Sequence, residues 1–120
     1  MTETCGLSCT ALPTDPPELK AIAGLPLPGV SLRVVDENYE LVKHDLPGEL
    51  LYKGPGLMEG YGNLPDGSSG INDDGWFPTG DLATMNSNGY INIVGRSKEM
   101  IIRGGENLYP IEIENYLIEH

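Results

Sequence analysis

The chain has 120 residues, of which 39% are apolar, enough for the modest core of one domain. Its 16 glycines and 10 prolines exclude a helical bundle, because each interrupts the helical period, and favour short strands joined by turns. Seven Lys and Arg stand against 18 Asp and Glu, a net charge of −11, which repels phosphate backbones and anionic lipid and argues against nucleic-acid or membrane-surface binding. No apolar run is long enough to span a bilayer, and no basic, apolar signal segment opens the chain.

Residues 1–28 are polar and then proline-punctuated, which predicts loop and connector. Cys5 and Cys9 lie four residues apart without a His or Cys cluster nearby, so they read as two reduced thiols of an intracellular protein. Met1-Thr2-Glu3-Thr4 looks like the interior of a sequence and Ile118-Glu119-His120 stops in mid-pattern, so the chain reads as a fragment. Residues 31–36 alternate with β-branched side chains and predict a strand, residues 36–38 a turn, and residues 40–43 its short partner. Pro47-Gly48 opens a further strand over 49–53, closed by Gly54-Pro55-Gly56, and the Gly, Ser, Asn and Asp between 63 and 75 predict an exposed loop. Residues 81–85 and 90–94 form the clearest hairpin, with Asn88-Gly89 as its turn signal. The pattern predicts five or six short strands between 28 and 95. After Gly95 come a charged cluster, the apolar run Met100-Ile101-Ile102, a double glycine and a helix from Pro110, with Ile113 and Leu117 on one face.

Three segments carry chemistry. In Thr2-Glu3-Thr4, a hydroxyl that can donate to a phosphate oxygen sits beside a carboxylate of the hard type that Mg²⁺ prefers; a helix cap is the plainer reading. In Trp76-Phe77-Pro78-Thr79-Gly80-Asp81-Leu82, Asp81 follows a glycine at a strand entry. An ionised carboxylate only accepts hydrogen bonds and so suits a diol such as ribose, although an Asx-turn is the local alternative. In the run from Gly95 to Pro110, Arg96 offers a fixed cation with a planar fork of donors, and Gly104-Gly105 permits close approach to the backbone.

Together and in this order, these segments resemble the adenylate-forming superfamily of acyl-CoA synthetases, adenylation domains and luciferases. Thr2-Glu3 matches the end of a Tyr-Gly-x-Thr-Glu motif, and Gly48-Glu49-Leu50 through Gly60-Tyr61 matches a Gly-Glu-Leu…Gly-Tyr segment. Residues 76–82 match Trp-Phe-x-Thr-Gly-Asp-Leu, and residues 95–114 match the hinge, in wording most like medium-chain fatty acyl-CoA synthetases. The resemblance implies a mainly β fold: a distorted antiparallel β-barrel or sheet, followed by a hinge and the start of a small α+β domain. It divides the chain into 1–28, a connector from a missing large domain, 29–95, a β-rich subdomain, and 96–120, the hinge and the start of a C-terminal domain.

By the same resemblance, Thr2 contacts the phosphate of ATP or of the acyl-adenylate, and Glu3 helps hold Mg²⁺. Asp81 and Arg96 grip the ribose, Lys98 is the hinge residue, and Gly104 and Gly105 border the pantetheine tunnel of coenzyme A. The implied activity is that of an ATP-dependent carboxylic, in particular fatty, acid:CoA ligase, cytoplasmic or mitochondrial. The Gly- and Ser/Thr-rich phosphate loop and a C-terminal lysine of that family are missing from the chain, so the fragment is expected to be inactive alone. Two other readings stand beside it: an adenylation domain that loads a carrier protein, and a non-enzymatic acidic β-rich interaction module.

Overall fold

The computed structural model describes residues 1–61, 70–104 and 106–119. Its centre is an open four-stranded antiparallel sheet in simple meander order: β3 (Ser31–Val35), β4 (Gly48–Lys53), β5 (Phe77–Met85) and β6 (Ile91–Arg96). Before it run the two-residue strands β1 (Cys9–Thr10) and β2 (Leu25–Pro26), which pair with each other, and one helical turn, α1 (Pro17–Lys20). After it come the hairpin β7 (Ile101–Arg103) and β8 (Glu106–Leu108), then the helix α2 (Pro110–Glu119), which begins at its proline as anticipated. The fold is therefore mainly β, and the sheet stays open and does not close into a barrel.

The alternation read in 31–36 places Val34 and Leu50 on one face with Ala83 and Ile91, all below a tenth exposed. Cys9, Ala23, Leu32, Val42 and Met85 pack against this cluster, so residues 1–28 cover that face as well as connect. The opposite face carries a smaller cluster of Val35, Leu51 and Trp76, with the Arg33 guanidinium 4.3 Å above the indole.

Among the described residues four strands lie between 28 and 95, fewer than the sequence pattern predicts, for two physical reasons. Residues 40–43 make only one bridge, Leu41 opposite Val35, because the turn at Asp36 is held by its own carboxylate, which accepts from the Asn38 and Glu40 amides at 2.8 and 3.0 Å. Residues 77–85 fuse into one strand that runs through Gly80 at φ 74°. The β5–β6 turn is closed by Gly89 at φ 83°, while the Asn86 side chain accepts from the amides of Asn88 and Tyr90. The loop anticipated from 63 lies mostly outside the described residues, as does Gly105.

The sheet has two edges. Along β6, Gly24 exchanges hydrogen bonds with Ile91 (2.9 and 3.3 Å); at β3, Val42 donates to Val34 (3.1 Å) beside the Val35–Leu41 bridge. Gly24 must be glycine there: a Cβ would stand 2.3 Å from the Thr10 carbonyl.

Candidate functional site

The site begins with a break in register. On β4, Glu49 pairs with Leu82 and Leu51 with Pro78, so Leu50 alone stands opposite residues 79–81 of β5. The excess chain bulges, and Asp81 comes to lie beside Arg96 of β6, its paired residue. Arg96 Nε donates to Asp81 Oδ1 at 2.8 Å. The aspartate side chain is 18% exposed and the arginine 59%, so the carboxylate is sheltered while the guanidinium faces solvent. Where the local alternative was an Asx-turn, the Asp81 carboxylate is engaged by Arg96, and the Asp81 amide itself donates to the Thr79 hydroxyl at 3.1 Å.

Burial pushes the Asp81 carboxyl above its ordinary range, opposed by the Arg96 cation and reinforced by the charges of Glu3 and Glu99. Glu3 is thus within electrostatic reach of both Asp81 and Arg96. It sits in a 3-10 turn, Thr2–Thr4, that is pinned to the following segment: Met58 donates to the Glu3 carbonyl at 2.8 Å, and the Tyr61 hydroxyl donates to Glu3 Oε1 at 3.1 Å. Its own backbone amide and the Tyr61 hydroxyl hold the Glu3 carboxyl below its ordinary range. Gly56 permits this approach, since a Cβ there would meet the Thr4 carbonyl oxygen at 2.6 Å. Thr2 is exposed on the same turn.

Asp81 lies between two concavities. The first, about 320 Å³, is lined by Met1, Leu7, Cys9, Leu50, Thr79 and Ile93 among others, an apolar trough with the carboxylate on its wall. The second, about 300 Å³, lies between the Asp81–Arg96 pair and α2, against Glu99, Pro110, Ile111 and Glu114. Lys98 is exposed in the 3-10 turn Ser97–Glu99 that joins the sheet to the β7–β8 hairpin. Gly104 is exposed at the hairpin tip at φ 66° and lines neither cavity.

Of the residues singled out by the sequence, Asp81 and Arg96 meet from adjacent strands and Glu3 is within electrostatic reach of both, while Thr2 stands exposed beside Glu3 on the N-terminal turn. Sequence reasoning gave Tyr61 and Thr79 no role of their own. Both stand inside the quoted motifs, but their partners, Glu3 and Leu50, are 58 and 29 residues away. Among the described residues no group of three or more His, Cys, Asp or Glu could hold a metal. The single carboxylate of Glu3 beside the exposed Thr2 hydroxyl does fit Mg²⁺, which keeps several waters and is held by one or two carboxylates plus phosphate oxygens.

The arrangement is a sheltered acid paired with an exposed arginine at the mouth of two clefts. The family model described as AMP-binding enzyme matches residues 1–62. An indoleacetate–CoA ligase of Aromatoleum aromaticum is 44% identical over 98% of this chain and 23% of its own length. A mitochondrial medium-chain acyl-CoA ligase of Rattus norvegicus is 41% identical over 99% of the chain and 20% of its own. The o-succinylbenzoate CoA synthetase of Bacillus subtilis superposes over the whole chain and a quarter of its own, at 33% identity, with TM-score 0.91 in its acyl-adenylate complex and 0.90 with ATP and magnesium ion. The chain belongs to the AMP-binding enzyme family, with the fold of the adenylate-forming enzymes. It spans about a fifth to a quarter of the length of the relatives it matches.

Proposed function

We propose that the chain is the ribose-binding and hinge segment of an ATP-dependent carboxylic acid:CoA ligase, with a fatty acid as the acid. The observation that carries this reading is the Asp81–Arg96 pair on adjacent strands, within electrostatic reach of Glu3. Arg96 uses one oxygen of the Asp81 carboxylate, which leaves Oδ2 for a ribose hydroxyl. The outer nitrogens of the guanidinium, on the exposed side of the pair, reach the neighbouring ribose or phosphate oxygen.

Thr2 donates to the α-phosphate and Glu3 offers a metal oxygen ligand. A bound Mg²⁺ supplies neutralisation of phosphate charge. With the nucleotide so held, the substrate carboxylate attacks the α-phosphorus, pyrophosphate leaves and the acyl-adenylate forms. The CoA thiolate then attacks the acyl carbonyl and AMP departs. Lys98 is the pivot between these half-reactions, with residues 29–95 on one side and 96–120 on the other, and Gly104 and Gly105 border the path of the pantetheine arm. An intracellular site, cytoplasmic or mitochondrial, goes with this activity. The names of the relatives support the class, and the likeness of the hinge wording to medium-chain fatty acyl-CoA synthetases supports a fatty acid as the acid.

The test is pyrophosphate–ATP exchange by the intact polypeptide with octanoate and with indoleacetate, followed by addition of CoA or of a carrier protein. Exchange that needs an acid, and thioester formation on free CoA, are the expected results. Absence of exchange with any acid refutes the ligase, and transfer only to the carrier protein replaces CoA as acceptor.

A further inference from the structure

Thr79 is the one polar side chain at the β5 bulge that joins both neighbours of the ribose site. Its hydroxyl donates to the Leu50 carbonyl at 2.9 Å and accepts from the Asp81 amide at 3.1 Å. Leu50 is the residue that faces the excess chain of β5, so this hydroxyl stands in for a strand hydrogen bond where the ladder slips. Gly80, at φ 74°, supplies the reversal that lets the hydroxyl of residue 79 reach the amide of residue 81. On the other side Asp81 and Leu82 pair with Arg96 and Gly95 of β6, and a second slip between Leu82 and Ala83 passes over Val94. The path of the backbone at Asp81 is therefore set from one side by β6 and from the other by a single hydroxyl.

Resting on the ribose reading of Asp81, we infer that Thr79 is a positioning residue for nucleotide recognition. It locks the bulge so that the Asp81 carboxylate meets both Arg96 and the ribose diol, and it touches no substrate itself. Its methyl group is dispensable and its hydroxyl is not. Removal of the hydroxyl leaves the Leu50 carbonyl and the Asp81 amide without their shared partner, and the bulge relaxes toward regular pairing, which draws Asp81 away from the diol.

The experiment compares ATP with 2′,3′-dideoxy-ATP, which lacks both ribose hydroxyls, by equilibrium titration of the intact polypeptide in Mg²⁺ buffer. The unsubstituted protein should favour ATP over the dideoxy compound by about tenfold or more, since the lost contacts are hydrogen bonds to a charged group. Thr79→Val should erase most of that preference by weakening ATP alone, and Thr79→Ser should restore it. Asp81→Asn sets the floor. Equal weakening of both nucleotides by Thr79→Val, or failure of Thr79→Ser to restore the preference, overturns the positioning role. Retention of the full preference in Asp81→Asn removes the ribose reading itself, and the inference falls with it. A Thr79→Val protein that unfolds leaves Thr79→Ser as the arm that decides: a binding ratio equal to that of the unsubstituted protein supports the hydroxyl's role, and a collapsed ratio overturns it.

Discussion

Tyr90 donates its phenolic hydrogen to Asp15 Oδ1 at 2.7 Å across 75 positions of sequence, and both residues are 8% exposed. The other Asp15 oxygen accepts the Leu12 amide at 2.7 Å. The pair fastens the N-terminal segment, which forms one wall of the apolar trough, to the end of the β5–β6 hairpin.

Tyr90→Phe should lower the thermal midpoint by several degrees at neutral pH, because a buried carboxylate oxygen loses its donor. The hydrogen bond to Asp15 holds the Tyr90 phenol above its ordinary range. A raised folded-state value means stability that is complete below the ordinary phenol range and lost as pH rises through the raised value. The gap between Tyr90→Phe and the unsubstituted protein should therefore close in alkali. Melting curves from neutral to strongly alkaline pH measure it; a gap that stays constant contradicts the assignment.

ATP recognition should fail in acid earlier than an ordinary aspartate would allow. Burial raises the Asp81 carboxyl against the pull of Arg96, and only the ionised form accepts from both cation and diol. Affinity should fall as pH drops through this raised value. For folding the sign is opposite: Asp81 favours the native state when protonated, and that contribution is lost as pH rises through the same value. Arg96→Gln removes the cation that holds the value down, so the acid limit of binding should move to higher pH. Titration of ATP binding across the acid range in both proteins reads the shift.

Lys98→Pro should separate the half-reactions in the intact polypeptide. Proline fixes φ near −65° and deletes the amide donor, in a turn whose side chain at 98 is exposed. Adenylation, followed as pyrophosphate exchange, and thioester formation should then lose different factors, because each needs its own orientation of the parts beyond the turn. A proportional loss of both removes Lys98 from the role of pivot.

Residues 1–120 alone should bind ATP only weakly and form no acyl-CoA. On the proposed reading they hold a ribose pair, one phosphate donor and one metal ligand, whereas catalysis depends on two reactants held in one geometry. Calorimetric titration with ATP and Mg²⁺, with a pyrophosphate-release assay over fatty acids and CoA, checks this. Low-micromolar affinity or turnover would show a complete site.

The strands that could be read from sequence are those whose signal is local. β3 and β4 follow from β-branched and apolar alternation, the β5–β6 turn from Asn86 to Gly89, and α2 from Pro110. What escaped depends on distant partners. The fusion of 77–85 into one strand needs the Thr79 hydroxyl to meet Leu50, and the covering role of residues 1–28 needs Tyr90 to meet Asp15. The chemistry of the site was visible as residue types in motifs. Its geometry was not, because the closeness of Asp81 to Glu3 arises from the fold and not from spacing.

The bridges along the two borders of the sheet have a consequence for the molecule in a crowded solution. An open meander offers two rows of unpaired amides and carbonyls to any extended peptide, including another copy of itself. Here Gly24 occupies β6 at Ile91, and residues 41–42 occupy β3 at Val34 and Val35. A strand arriving from outside must first peel away a segment of the same chain. Gly24→Ala, whose methyl group would collide with the Thr10 backbone, lifts that guard from one side and converts a self-limiting sheet into one that can lengthen.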